Sequence, residues 1–296
     1  MVRLQFAYDD HISWHSGYRA LWGACRYRDD SDEAVSRSHG DLRRRPERYL
    51  DADGKLTKHK GELYFDPQRF AGLVQKLDAA GLTVHIHAIG DRAVRASLDA
   101  FAAARAANGE RDNRHQIAHM QLVDPADFPR FEELGVLADF QLEWAKREPA
   151  TEGPLEPYLG PDRYRYVYPA GSLQKAGATI IGGSDWDVSS YNPFRAFQTG
   201  ITRAGGKGQN PLNIEERITL TTAIDAYTIN AAYAMKQDKT TGSLEVGKRA
   251  DLVVLDRDIF AVDPDTIADT KVLATYLDGR LVYTPPANVQ AKPYRE

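Results

Sequence analysis

The chain has 296 residues, 42% hydrophobic and 27% charged, which is enough apolar material for a large core and too much for a disordered segment. A net charge of -4 with a pI near 6.1 gives no general electrostatic reason to bind nucleic acid or an anionic membrane surface. One cysteine, Cys25, leaves no pair for an intrachain disulfide and no cysteine-rich metal site, and suits a reducing compartment.

The stretch MVRLQFAYDDH lacks the long apolar core of a signal peptide, and no apolar run reaches the ~20 residues of a membrane span, so a cytoplasmic protein is expected. The basic run LRRRPER, residues 42–48, is short and followed by acidic residues, and reads as a solvated loop. From residue 66 the pattern is regular. Asp66 is placed to cap a helix that has Pro67 at its first position, a stripe of Phe70, Leu73, Val74 and Leu77, and Gly81 to stop it. The strand LTVHIHAI follows, then a helix carrying Val94, Leu98 and Phe101, then the strand HQIAHMQLV. Asp124 and Pro125 open another helix, Gly135 closes it, and VLADFQL is the next strand. A Glu- and Pro-rich loop from Glu143 to Pro161 leads to a helix ending near Ala176, and ATIIGGSD is a fourth strand.

Strands at 82–89, 115–122, 136–142 and 178–185 that alternate with helices imply βαβ units and a parallel sheet covered by helices. A doubly wound sheet and a (β/α)8 barrel both satisfy this, but no glycine-rich dinucleotide fingerprint follows any strand. A barrel collects functional residues at the C-terminal ends of its strands, where His87, His119 and Asp185 fall. Beyond Met235 the character turns to β: TGSLEVGKRADLVVLD reads as two short strands, and KVLATYLDGRLVY as a hairpin turning at Asp278-Gly279. The expected divisions are residues 1–60, 61–235 and 236–296.

His85 and His87 lie two apart, so a strand puts both imidazoles on one face; two core histidines or part of a metal site both fit that geometry. Two imidazoles and a carboxylate can hold a borderline divalent ion such as zinc while leaving positions open, and a carboxylate beside it can take a proton from an attacking water. Hydrolysis is the chemistry such a set would perform.

At these residues the sequence resembles a known family. VHIHAIGDRAV, RHQIAHMQ, GGSDWDVSS and TGSLEVGKRADLVVLDRD are similar to the metal-dependent amidohydrolase superfamily, in its YtcJ-like amidohydrolase 3 branch that includes N-substituted formamide deformylases. The resemblance runs from about residue 60 to 284. It implies an α/β fold, the C-terminal half of a (β/α)8 TIM barrel of amidohydrolase type with a small β-sandwich portion at the C-terminus. It implies hydrolysis of non-peptide C–N bonds in a small amide or N-substituted formamide. His87, His119 and Asp185 match the metal ligands, and Asp185 matches the general base that activates the water. His11 and Trp186 match substrate-side positions, with His85, Asp91 and His115 as supporting groups around the ligands.

The family's upstream His-x-His and its bridging lysine have no counterpart before residue 60, so at most one divalent ion, expected to be zinc, is implied. YDDHISWHSGYRAL, residues 8–21, resembles a later segment of the family, and residues 1–60 read as a remnant of that loop-rich region. Asp187 stands where the family has proline. Self-association is expected, because half a barrel leaves an open sheet edge and apolar surface. The alternative expectation is a truncated, catalytically impaired remnant or a metal- or ligand-binding module of the same fold.

Overall fold

A computed structural model of the chain describes residues 2–4, 49–51, 53–58, 63–149 and 155–286. The chain falls into two compact units: Met1–Phe140 with Arg147–Ile180, and Gln141–Lys146 with Ile181–Glu296.

The first unit is built as its sequence signals suggest. Asp66 accepts hydrogen bonds from the backbone N–H groups of Gln68 (3.1 Å) and Arg69 (3.0 Å), which starts α1 (Pro67–Ala79) at the expected residue. Phe70, Val74 and Leu77 are buried along one face of it, whereas Leu73, read as part of the same stripe, is exposed. Gly81, at φ 74°, then turns the chain into β2 (Val84–Ala88). The next elements are α2 (Asp91–Asn108), β3 (Gln116–His119), α3 (Phe128–Leu134) and β4 (Leu137–Phe140). Asp124 caps a single 3-10 turn, Pro125–Asp127, ahead of α3, and Gly135 ends that helix at φ 65°.

The strands lie in the order β1-β2-β3-β4-β5, where β1 is Val2–Leu4 and β5 is Ile180–Gly182. The pairs β1–β2, β2–β3 and β3–β4 are parallel. The four expected strands, β2 to β5, lie in their sequence order. The Val2–Leu4 strand was not expected; three residues carry too little pattern to stand out. Residues of β2, β3 and β4 are almost all buried on both faces, as helices on a parallel sheet require. Three short helices follow: α4 (Glu156–Leu159), α5 (Pro161–Tyr164) and α6 (Ala170–Lys175). Asp127 has no exposed surface and holds α2 to α3, accepting from Arg95 Nε (2.6 Å) and Arg130 Nη1 (2.9 Å).

The second unit carries α7 (Pro193–Thr202), α8 (Leu220–Tyr227) and α9 (Ile229–Ala234), then a three-stranded antiparallel sheet, β6 (Leu252–Leu255), β7 (Val272–Leu277) and β8 (Arg280–Tyr283). The β7–β8 hairpin turns at Asp278 (φ 52°) and Gly279 (φ 76°), the paired left-handed geometry that Asp-Gly favours. Of the two strands read in TGSLEVGKRADLVVLD, only Leu252–Leu255 forms; residues 242–247 are bend, turn and irregular backbone, with Gly242 (φ 89°) and Gly247 (φ 98°) at positive φ. Neighbouring residues of this sheet, Val253 with Val254 and Leu281 with Val282, are exposed together, so apolar side chains reach solvent from both faces.

Candidate functional site

Register explains which side chains meet on the first sheet. His85 pairs with Gln116 and His87 with Ala118, and Ala118 pairs with Asp139, so His85, His87, Gln116 and Asp139 belong to one face. His85 Nδ1 donates to Gln116 Oε1 (2.9 Å), and its Nε2 lies 4.0 Å from Asp139 Oδ2. His119, one residue past the partner of His87, would by alternation point to the helix-covered face. Its backbone prevents this: His119 sits at φ 77° and Met120 at φ 44°, which ends the strand three residues earlier than expected and swings the imidazole back. His119 Nε2 then lies 2.6 Å from His87 Nδ1, with ring centroids 4.6 Å apart and both residues buried. At that distance one nitrogen carries the shared proton and the other accepts it.

Two imidazole nitrogens that converge on one point at the C-terminal ends of adjacent parallel strands fit a divalent metal. Ligands of one tetrahedral zinc with bonds of ~2.1 Å stand about 3.4 Å apart, so the rings need to part by less than an ångström. Among the described residues, no group of three His, Cys, Asp or Glu is gathered tightly enough to hold an ion.

His115 belongs to the other end of the sheet. It precedes β3, whereas His119 closes it, so it does not support the ligands as expected. Its Nδ1 accepts the backbone N–H of Val84 (3.1 Å), which leaves the proton on Nε2, donated to Asp78 Oδ1 (3.0 Å). Asn113 (2.5 Å) and Asn108 (2.7 Å) also donate to the Asp78 carboxylate, and Phe101 stacks on the imidazole at 4.6 Å. Burial alone would push the Asp78 carboxyl up, but the bonds from Asn108, Asn113 and His115 outweigh it and hold it below the usual range. Asp91, at the start of α2, is buried and accepts from Arg163 Nη2 (2.7 Å). Arg163 had no sequence signal; it arrives from α5, 72 residues away. Asp139 was legible in principle, as a lone carboxylate inside the apolar strand VLADFQL.

In the second unit, Asp185 also has left-handed backbone, at φ 50°, in a turn closed by Val188 N–H to Asp185 C=O (2.8 Å). Of the two glycines before it, Gly182 is required. A Cβ at Gly182 would run into the Tyr227 ring, whose hydroxyl donates to the Gly183 carbonyl (3.1 Å). Trp186 is 59% exposed and meets Tyr191 edge to face. The segment after β4 belongs to this unit: Trp144 Nε1 donates to Ser189 Oγ, and Glu143, which sequence reading passed over as loop, pairs through Oε1 with Arg195 Nη2 (2.6 Å). His11 lies outside the described residues.

A family model described as "Amidohydrolase family" matches residues 44–283. The chain is 34% identical over 241 residues to Protein LONG AFTER FAR-RED 3 of Arabidopsis thaliana, covering 80% of this chain and 40% of that protein. It is 29% identical over 235 residues to an N-substituted formamide deformylase of Arthrobacter pascens (78% and 42%), and 28% identical over 221 residues to the putative amidohydrolase YtcJ of Bacillus subtilis (74% and 40%). The chain thus spans about two fifths of the length of these relatives. Solved structures of uncharacterized metal-dependent hydrolases from Pyrococcus horikoshii and Pyrococcus furiosus superpose with TM-scores of 0.63 and 0.58, each at 24% identity, covering 80% of this chain and 44% of theirs. The fold is the one expected, the C-terminal half of a (β/α)8 barrel with a small β portion.

Proposed function

Since the chain belongs to the amidohydrolase family, we propose that it hydrolyses a non-peptide C–N bond in a small amide or N-substituted formamide. The observation that carries this reading is the convergence of His87 Nδ1 and His119 Nε2 at neighbouring strand ends, achieved by left-handed backbone at His119. Residues held in such conformations concentrate at functional sites, because only a surrounding structure that over-determines them sustains the strain.

In this reading His87 and His119 hold a divalent ion, zinc by the chemistry of its donors, together with Asp185. When bound, the ion supplies Lewis-acid activation of water and carbonyl near neutral pH. Asp185 takes the proton of the attacking water at its carboxylate and returns it to the nitrogen as the C–N bond breaks, so that a carboxylic acid and an amine leave. His85, held by Gln116, keeps β2 in register beside His87, and Asp91 anchors the start of α2 to Arg163. Trp186, largely exposed, offers an apolar face to a substrate.

No described helix is long and apolar enough to cross a membrane. A cytoplasmic setting is the companion reading, supported by the single cysteine in 296 residues. Self-association is supported by the apolar residues exposed on both faces of β6–β8. The decisive experiment measures zinc content and turnover of N-benzylformamide by the full chain, alone and extended upstream by a His-x-His strand. Zinc bound at one ion per chain, with weak turnover alone and faster turnover when extended, is expected. A chain that binds no zinc overturns the reading.

A further inference from the structure

We propose that Glu143 recognises the amide N–H of the substrate. This rests on the amidohydrolase reading above and adds a specificity: amides that carry an N–H are accepted, and those that lack one are disfavoured.

Glu143 lies in the 3-10 turn Leu142–Trp144, directly after β4, at the end of the sheet where this architecture collects its chemistry. It is only 7% exposed, an unusual place for a carboxylate. One oxygen accounts for its pairing: Oε1 accepts from Arg195 Nη2 at 2.6 Å and has Lys146 Nζ at 4.0 Å. The other oxygen, Oε2, is fully buried and accepts no hydrogen bond from the described residues. A buried acceptor left in that state is destabilising, and a donor brought by a ligand would relieve the cost. The turn that carries it is tied to the Asp185 loop within the same unit, because the Trp144 indole donates to Ser189 Oγ, four residues past Asp185.

Charge decides what Oε2 accepts from. Glu143 is already balanced by Arg195 and approached by Lys146, so an ammonium group would bring a third positive charge to one negative one. A neutral donor meets no such repulsion. For a substrate cleaved at C–N, the neutral donor beside the reacting carbon is the amide N–H itself. A site built around such an acceptor rejects analogues without the donor, because the acceptor then stays buried and unpaired.

The test measures dissociation constants for the full chain by ligand-observed NMR, with a chelator present so that nothing is turned over. The ligands are N-benzylformamide, N-benzyl-N-methylformamide and benzyl formate, the last replacing N–H by oxygen at nearly constant size. The wild type should bind N-benzylformamide at least about 10-fold more tightly than either analogue. Glu143→Gln keeps the volume and, with its carbonyl on Arg195, turns Oε2 into an NH2 donor; the preference should collapse to near unity or invert. Arg195 is half-exposed and keeps an acceptor, so the variant should fold.

A wild-type ratio near unity for benzyl formate overturns the proposal, and so does a preference that survives Glu143→Gln. If the variant does not fold, the wild-type ratio for benzyl formate decides alone. Turnover without the preference would retain the hydrolase and remove this role for Glu143. The preference without turnover would do the reverse.

Discussion

β2 carries His85 and His87, and β3 is preceded by His115 and closed by His119; the two ends of the sheet treat these histidines differently. Near the N-terminal end, His115 sits in ordinary backbone within a network in which Asp78, Asn108, Asn113 and the Val84 N–H all have their partners, under a stacked Phe101. At the C-terminal end, His87 and His119 turn ring nitrogens toward each other, and His119 holds a φ of 77° to do so. The same residue type therefore fastens the fold at one end and spends stability at the other. A parallel barrel divides its labour in this way between bottom and top.

The largest effect that could break this division is on metal affinity. His87→Ala or His119→Ala should each lower zinc affinity by about 100-fold or more, beyond the usual cost of losing a group that merely orients a ligand, with the chain still folded. Isothermal titration paired with circular dichroism reads both; an unfolded His119→Ala would place His119 with the fastening residues instead. The next effect belongs to the lower end. Asp78→Ala strips the acceptor from three donors and should lower the unfolding free energy by about 3 kcal/mol or more in urea titration, while zinc affinity stays unchanged. A fall in affinity as large as that of His87→Ala would show that the two ends are not separate.

A pH series sharpens the same contrast. The Asp78 carboxyl is held below its ordinary range, so its contribution is complete above the unfolded pKa of about 4 and disappears as pH falls through the depressed folded value. The stability difference between wild type and Asp78→Asn should therefore be constant near pH 6 and shrink toward pH 3, monitored by thermal melts. The smallest effect compares glycine with alanine at each end. At His119 the glycine variant should be the more stable of the two by about 1 kcal/mol, since glycine tolerates left-handed backbone. At His115, where φ is negative, alanine should win by about 0.5–1 kcal/mol. The same order at both positions would mean that the backbone at His119 relaxes once its ring is gone.

The alternating helices and strands were legible because each carried its own punctuation: Asp66 before Pro67, Asp124 before Pro125, Gly135 after α3, Asp278-Gly279 in the hairpin. The two histidines at strand ends were legible as well, by position and by resemblance. What escaped was set by tertiary geometry. Period-two reasoning on LTVHIHAI gives His85 and His87 a common face, but nothing in HQIAHMQLV announces that the strand stops at His119 with a left-handed residue. The resemblance sets His115 among the groups around the ligands, but its bond to Asp78, 37 residues earlier, is set by tertiary packing that the sequence does not display. Glu143 was invisible for a related reason, since a glutamate in a Glu- and Pro-rich loop looks solvated until Arg195 is seen against it.

The three-stranded sheet of the second unit bears on how such experiments are monitored. Dyes such as anilinonaphthalene sulfonate brighten on exposed apolar surface and are commonly taken to report loosened packing. Here Val253, Val254, Leu281, Val282 and Tyr283 present that surface in the native chain. The dye signal should accordingly start high and fall as β6–β8 melts, so a thermal-shift trace of this protein should run opposite in sign to the familiar one.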